Sequence, residues 1–319
     1  LSHKPIKVGV VGVGYLGRFH AQKYAANPRA ELVGVVDLDQ GRAREVGREV
    51  GAPALPNHRR LIGLAQAVSV VTPALTHAAV AGELLEAGLH CLVEKPMTAT
   101  LQEADGLIKL AGKRGLILQV GFLERFNPAV AALGSLVVEP RYIEARRTAP
   151  YLGRGLDVDV VLDLMIHDLD LVLNLVGQEP EVIRSVGAPL LSPGLDMASA
   201  WLEFPSGCVA SLTATRVSTS PCRRLQISQP DCQLMVDCTE RTLTILERAG
   251  SGKGADEGRE VLPGIVARNM SFPRTDPLAE ETDAFLQAVA SGTRPRVDGR
   301  DGRRALAAAL AVADQISRR

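Results

Sequence analysis

The sequence predicts an α/β protein: an N-terminal doubly wound domain followed by an α+β domain with a large, mainly antiparallel open sheet. Three observations lead there. Over the first third, short apolar runs alternate with helical patterns, which requires a parallel sheet covered on both faces. Beyond residue 180, strand signals follow one another without helices between them, the mark of an antiparallel sheet. The length, 319 residues, is too great for one ordinary core and suits two domains, placed at 1–122 and 123–319, the last helices being able to pack back on the first.

Each element follows from local pattern. Residues 6–11 are an apolar run ending in glycines, and 16–26 have helical spacing with Pro28 as a stop. Residues 31–37 form a second apolar run, and 40–50 an Arg/Glu-rich surface helix. Strands at 67–72, 89–93 and 116–121 alternate with helices at 76–87 and 101–113. After Arg125-Phe126-Asn127-Pro128 comes a short helix to about residue 136, a strand at 141–148 and one strongly apolar helix at 158–176. Strands are expected at 181–186, 197–204, 207–217, 223–228, 232–237 and 241–247. Residues 249–259, rich in Gly and charge, read as an exposed loop, and helices at 277–290 and 301–318 close the chain.

Composition excludes several function classes. With 46% hydrophobic and 23% charged residues, the chain is a soluble globular type and not a disordered one. Lys+Arg and Asp+Glu both total 36, so nothing in the net charge draws it to nucleic acid or an anionic membrane. No apolar run is long enough to span a bilayer. Aromatics are 3%, too few for base- or sugar-stacking platforms. Five cysteines without a CxxC read as free thiols in a reducing compartment, and Lys4-Pro5 leads into a strand without a secretory-signal pattern, so a cytoplasmic location is expected. No metal is expected, since Cys232 and Cys238 have no histidine near them. An apolar sheet in the second domain needs cover on its outer face, so a homodimer or homotetramer through that sheet is expected.

Gly12-Val13-Gly14-Tyr15-Leu16-Gly17 follows a strand and opens a helix, and Asp37 ends the next strand, as a dinucleotide-binding (Rossmann) fingerprint requires. The glycines allow a tight turn and close backbone approach to a pyrophosphate, which the helix N-terminus favours electrically. Asp37 can accept from the adenine ribose hydroxyls and would repel a 2′-phosphate, which points to NAD over NADP. Arg42 is near enough to soften that preference, or is a solvated helix residue. Thr72-Pro73-Ala74-Leu75-Thr76-His77 and Glu94-Lys95-Pro96 sit at the C-terminal ends of successive strands, where doubly wound sheets bind ligands. Lys95 there can donate to a substrate hydroxyl or move a proton; the bland alternative is a surface lysine paired with Glu94.

In the helix at 158–176, Asp159, Asp163, His167, Asp170 and Asn174 step by three or four along otherwise apolar sequence, forming one polar stripe. Asp159, Asp170 and Asn174 fit a solvent-facing edge. Asp163, one turn before His167, can orient the imidazole and stabilise its charged form. A metal reading of the stripe is weak for want of a second histidine.

Together Gly12 to Gly17, Asp37, Thr72-Pro73 with His77, Glu94-Lys95-Pro96, Gly121 through Arg125-Phe126-Asn127-Pro128, and Asp163-x-x-x-His167 make the chain resemble the glucose–fructose oxidoreductase / inositol dehydrogenase / MocA family. The resemblance implies that NAD carries the hydride, that Lys95 and His167 line the catalytic centre with Asp163 in support, and that Gly12, Gly14, Tyr15, Leu16, Gly17, Asp37, Arg42, Thr72, Pro73, His77, Glu94, Lys95 and Asn127 attend the cofactor. One departure is Asp157-Val158-Asp159-Val160-Val161, where many members are glycine-rich. Arg146-Arg147, Tyr151, Arg154 and the run from Asp157 to Asp168 are similar to one branch, bacterial dehydrogenases that oxidise the C3 hydroxyl of UDP-N-acetylglucosamine for lipid A diamino-sugar synthesis. That branch implies a sugar-nucleotide substrate, a downstream aminotransferase, and substrate contacts from Lys95, Arg146, Arg147, Tyr151, Arg154, Asp163 and His167. Arg216, Arg223 and Arg224 are further candidates to meet the diphosphate. The alternatives are an NAD(P)-dependent dehydrogenase of free sugars or inositols and, from another class, a non-catalytic dinucleotide sensor.

Overall fold

The computed structural model describes residues 4–151, 158–249 and 258–318. The chain forms two compact units, one of Leu1–Phe126 with Asp276–Arg303, the other of Asn127–Thr275 with Arg304–Arg319.

The first unit opens with β1 (Ile6–Val11), α1 (Tyr15–Ala26), β2 (Ala30–Val36), α2 (Gln40–Val50), β3 (Ala54–Leu55), β4 (Ala67–Val70), α3 (Ala74–Glu86), β5 (His90–Glu94), α4 (Leu101–Arg114) and β6 (Leu118–Gly121). The six strands pair in parallel in the order β3-β2-β1-β4-β5-β6. The order reverses direction between β1 and β4, the point where such sheets bind their ligands. Val8, Val10, Val68, Val70, Leu92 and Val93 are fully buried, which is why these strands read as continuous apolar runs. β3, only two residues between Pro53 and Pro56, carries too little pattern to be expected from sequence.

The helices end where their residues dictate. Asp39 caps α2 by accepting from the Gly41 and Arg42 amides, and Gly51 closes it with φ +70. Thr100 and Glu103 form a reciprocal capping box on α4. α3 starts at Ala74, two residues before the expected start, because Pro73 stands at its N-cap.

The second unit contains α5 (Pro128–Ala131), β7 (Tyr142–Thr148), α6 (Ile166–Val176), β8 (Val182–Ala188), β9 (Met197–Glu203), β10 (Val209–Thr215), β11 (Cys222–Ser228), β12 (Cys232–Asp237), β13 (Thr242–Arg248), β14 (Arg259–Leu262) and β15 (Ile265–Ser271). Nine strands run in the order β14-β15-β13-β12-β11-β7-β10-β9-β8. All pairs are antiparallel except β7 with β10. The β14–β15 hairpin, turning at Gly264 with φ +73, was not expected. All four residues of β14 are exposed and its charges break the strand pattern, so it carries no apolar signal.

Two expectations need correction. The helix expected at 158–176 is not uniform: Val161–Met165 is a π-helical turn, and α6 follows from Ile166. The extra residue per turn breaks the single polar stripe. Asp170 is therefore buried, 2% exposed, while Asn174 remains exposed. The outer face of the nine-stranded sheet is not apolar either. In β9 and β10 every second residue is buried, so Ala198, Ala200, Leu202, Ala210, Leu212 and Ala214 point inward. The other face carries Glu144, Ser199, Thr213, Gln226 and Thr244, with Tyr142, Trp201 and Met235 among them.

The chain closes with α7 (Pro277–Ser291) and α8 (Gly299–Ser317). α7 belongs to the first unit, where Phe285, Leu286 and Ala288 join Val8, Val10, Tyr24 and Leu92 in one core cluster. Phe285 and Leu286 are fully buried, each worth about 1.5–3 kcal/mol in burial. α8 contributes its first turn to the first unit and the rest to the second, where Ser185 donates to the Val312 carbonyl at 2.9 Å.

Candidate active site

The cradle at the end of β1 is set by three glycines with different tasks. Gly12 has φ +84, and a Cβ there would lie 2.6 Å from the Val71 carbonyl oxygen. At Gly17 a Cβ would lie 1.8 Å from the Gly12 carbonyl oxygen. Both are needed for close backbone packing. Gly14 has no atom within 4 Å of such a Cβ, so it is the open side of the turn. It also caps α1 with no side-chain hydrogen bond, and the first turn of α1 has no acidic residue. α2, α4 and α7 are capped by Asp39, Thr100 and Asp276. The amides opening α1 are thus offered to an anion, as a pyrophosphate requires.

Asp37, just after β2, accepts from the Val13 amide through Oδ2 and from the Asp39 amide through Oδ1, both at 2.9 Å. The Arg42 guanidinium is 3.6 Å from Oδ2, and Leu38 is fully exposed. Tyr15 is exposed and meets Phe19 edge-on; Leu16 is half-buried. Gly12, Gly14, Gly17, Asp37 and Arg42 are therefore brought together, and they fit the adenosine and pyrophosphate portions of a dinucleotide.

A second group forms at the ends of β4 and β5. His77, on α3, is buried, with Nδ1 2.9 Å from the Pro96 carbonyl and Nε2 2.7 Å from the Thr72 carbonyl. It straps the two strand ends together. A neutral ring donates through one nitrogen only, so satisfying both carbonyls requires the imidazolium, while burial, the larger influence, pushes its pKa down. Lys95 is half-buried, its amide donates to Glu94 Oε2 at 3.2 Å, and the Lys95–Pro96 peptide bond is cis. Behind the strand end, His20 Nε2 lies 3.0 Å from Glu94 Oε1, and Glu281 of α7 faces the same pair. His20 and Glu281 were not expected from sequence. His20 follows the glycine fingerprint by one helical turn, a usable signal, whereas nothing local marks Glu281.

In the second unit Asp163 lies in the π-helical turn and His167 in the first turn of α6, both half-buried. Asp159 Oδ1 accepts from the Val161 and Leu162 amides at 2.9 Å and so caps this segment. Arg216, 6% exposed, donates to the Val158 carbonyl at 2.8 Å and stands 4.0 Å from Asp196. Burial pushes the Asp196 carboxyl up, but the Ser192 hydroxyl and the amides of Leu191, Ser192 and Leu190 outweigh it and hold the pKa well below the usual carboxylate range.

Arg146 and Arg147, both candidates to meet the substrate, lie on opposite faces of the sheet. Adjacent residues of β7 leave opposite faces of the sheet. Arg147 is 3% exposed and gives Asp168 of α6 a bidentate ion pair, with Nη2 2.7 Å from Oδ1. Arg146 is on the face away from α6, opposite Arg224, whose Nε is 3.0 Å from Asp237. Arg223 pairs with Arg147 across β11 and β7, so it shares the α6 side, and it is exposed. Asn127, 3% exposed, donates to the Cys238 carbonyl at 2.8 Å and caps α5. Tyr151 is half-buried, and Arg154 lies outside the described residues.

Residues 6–122 match the oxidoreductase family with an NAD-binding Rossmann fold, and residues 139–244 match the GFO/IDH/MocA C-terminal domain. The chain belongs to the Gfo/Idh/MocA oxidoreductase family. It is an oxidoreductase, and NAD is its cofactor. It is 45% identical over 308 residues to the UDP-N-acetylglucosamine 3-dehydrogenase of Acidithiobacillus ferrooxidans, spanning 96% of each chain. A solved structure of that enzyme superposes with a TM-score of 0.92 at 44% identity, covering 99% of each chain. A more distant relative, the scyllo-inositol 2-dehydrogenase (NAD(+)) of Bacillus subtilis, is 30% identical over 233 residues, 67% of this chain and 68% of that one. Among the described residues, no helix is long and apolar enough to cross a membrane.

Proposed function

We propose that this protein oxidises the C3 hydroxyl of UDP-N-acetylglucosamine to the 3-keto sugar nucleotide with reduction of NAD. One observation carries the reading: 45% identity to a UDP-N-acetylglucosamine 3-dehydrogenase runs through both units, over 96% of each chain. NAD supplies the hydride acceptor. The chain's own residues bind and orient. The amides opening α1 meet the pyrophosphate, and Asp37 meets the adenosine ribose. When the bound NAD takes the hydride from C3, Lys95 or His167 would take the O–H proton, with Asp163 orienting the imidazole.

The diphosphate of the substrate needs a cation on the α6 side of the sheet. Arg223 meets that requirement among the described arginines, with Arg154 a second contributor by sequence; Arg147 holds α6 through Asp168 instead. The product ketone calls for an aminotransferase as the next enzyme, in lipid A diamino-sugar synthesis. The five cysteines, all free thiols, favour a cytoplasmic setting. The open face of the nine-stranded sheet is the surface we assign to a homodimer or homotetramer.

The test is a coupled assay with an aminotransferase and an amino donor, read by mass spectrometry of the sugar nucleotide. We expect an amino sugar nucleotide together with NADH. The inositol dehydrogenase among the relatives supplies the second reading. Turnover of inositols or free sugars, with UDP-N-acetylglucosamine neither converted nor bound, would establish that reading instead.

A further inference from the structure

His20 on α1, Glu94 at the end of β5 and Glu281 on α7 converge inside the first unit, with one potential ligand atom from each within 4.8 Å of the others. They are 0%, 5% and 0% exposed. The Glu94 carboxylate is already engaged, through Oε1 with His20 Nε2 at 3.0 Å and through Oε2 with the Lys95 amide at 3.2 Å. His20 Nδ1 continues the chain to Ser69 Oγ at 3.3 Å, and Ser69 meets the Tyr24 hydroxyl at 2.7 Å. Glu281 stands differently: both carboxyl oxygens are buried and neither has a hydrogen-bond partner.

We propose that Glu94 and Glu281 share a single proton, held on Glu281, and that this site keeps one negative charge, not two, beneath the backbone of Lys95. Two ionised carboxylates this close and this buried would repel each other while each bears the cost of leaving water. A protonated Glu281 removes one of those charges. Burial first, and Glu94 second, raise the Glu281 pKa well above the ordinary carboxylate value. A Cβ on Gly121 would come within 2.6–2.9 Å of the Glu94 carboxyl atoms, so on that side the carboxylate rests against bare backbone.

Other charged groups flank α7. On α1, Lys23 pairs with Asp276 at 2.7 Å, and beyond its end Arg29 pairs with Asp283 at 2.6 Å. The turn at Leu123–Phe126 packs on α7 and brings the buried Glu124 and Arg125. Tyr24 stays a phenol, its pKa pushed up by burial. Glu281 is thus a positioning residue. It acts through Glu94 on the main chain of Lys95, and the shared proton stands whichever sugar Lys95 serves.

The experiment is infrared spectroscopy of the full chain with NAD bound, before and after Glu281→Gln. We expect wild type at pH 7.5 to show the carbonyl stretch of an un-ionised, exchange-protected carboxyl, and Glu281→Gln to lose it while still binding NAD. Thermal unfolding against pH gives a second readout. The native carboxyl keeps its proton above the pH at which the unfolded one releases it. Stability from this group is therefore full at low pH and falls about tenfold in folding constant per pH unit until the native pKa is passed. Glu281→Gln should remove that slope. Should the variant not fold, the wild-type spectrum and its loss of the band at high pH decide alone. Absence of the band at pH 7.5, its persistence in Glu281→Gln, or a stoichiometric divalent metal in the purified protein would each overturn the proposal.

Discussion

The Asp37 carboxylate stands at the C-terminal end of β2 with its oxygens on the Val13 and Asp39 amides and the Arg42 guanidinium 3.6 Å away. A 2′-phosphate brought there would face that negative charge, partly offset by Arg42. Asp37→Ala should narrow the kcat/KM preference for NAD over NADP, measured with both cofactors. It should also lower the thermal midpoint, since two turn amides lose their acceptor. Lys95→Ala and His167→Ala should each reduce kcat by roughly 10²–10⁴-fold with NAD still bound by calorimetry, the usual worth of a positioned acid–base group. Near-native turnover in either would remove that residue from the mechanism. At this scale the glycines, Asp37 and Lys95 are legible because each follows a strand whose run announces it, and His77 because it lies one turn into the helix that follows Thr72-Pro73. Glu281 is not, because its partners His20 and Glu94 are far away in sequence and only the fold brings them together.

β7 and α6 are joined by Arg147 and Asp168, both under 10% exposed. Removing Asp168 takes a bidentate partner from a buried guanidinium. Asp168→Ala should cost about 3–5 kcal/mol in chemical denaturation, while the double change Arg147→Met with Asp168→Leu should recover much of that loss. β7 and its neighbour β11 provide a sharper test of substrate binding. Arg223 lies on the α6 side and Arg146 on the other, so Arg223→Ala should raise KM for UDP-N-acetylglucosamine by roughly 10–100-fold, the worth of a hydrogen bond to a charged group. Arg146→Ala should leave KM unchanged. Equal effects from the two would contradict the face assignment. The strand at 141–148 was legible, and its period of two already separates adjacent arginines, so this part of the site could have been read further. The π-helical turn could not: one extra residue in a helix leaves the apolar pattern of Val160, Val161, Met165, Ile166 and Leu169 intact while burying Asp170.

At the scale of the whole molecule, the two classes of sheet were legible because burial on both faces gives continuous apolar runs and burial on one gives alternation. What alternation hides is a hairpin as exposed as β14 with β15. The first unit is discontinuous in sequence, and its core draws Phe285, Leu286 and Ala288 from α7. A fragment of residues 1–126 should therefore lack a filled core. We expect it to unfold without a cooperative transition and to bind NAD weakly or not at all by calorimetry, although it carries the entire glycine fingerprint. A fragment that melts cooperatively and binds NAD like the full chain would show that α7 is dispensable.

That discontinuity also bears on synthesis. A ribosome adds about 5–20 residues per second, so roughly 10–30 s separate the emergence of Phe126 from that of Leu286. Through that interval the nascent parallel sheet has Val8, Val10 and Leu92 in place but not the aromatic and aliphatic groups that cover them. The nucleotide-binding unit, first to be translated, is completed only after the second unit's strands have left the exit tunnel. Chaperone capture during translation is thus expected to fall on the first unit, and to be relieved when α7 arrives.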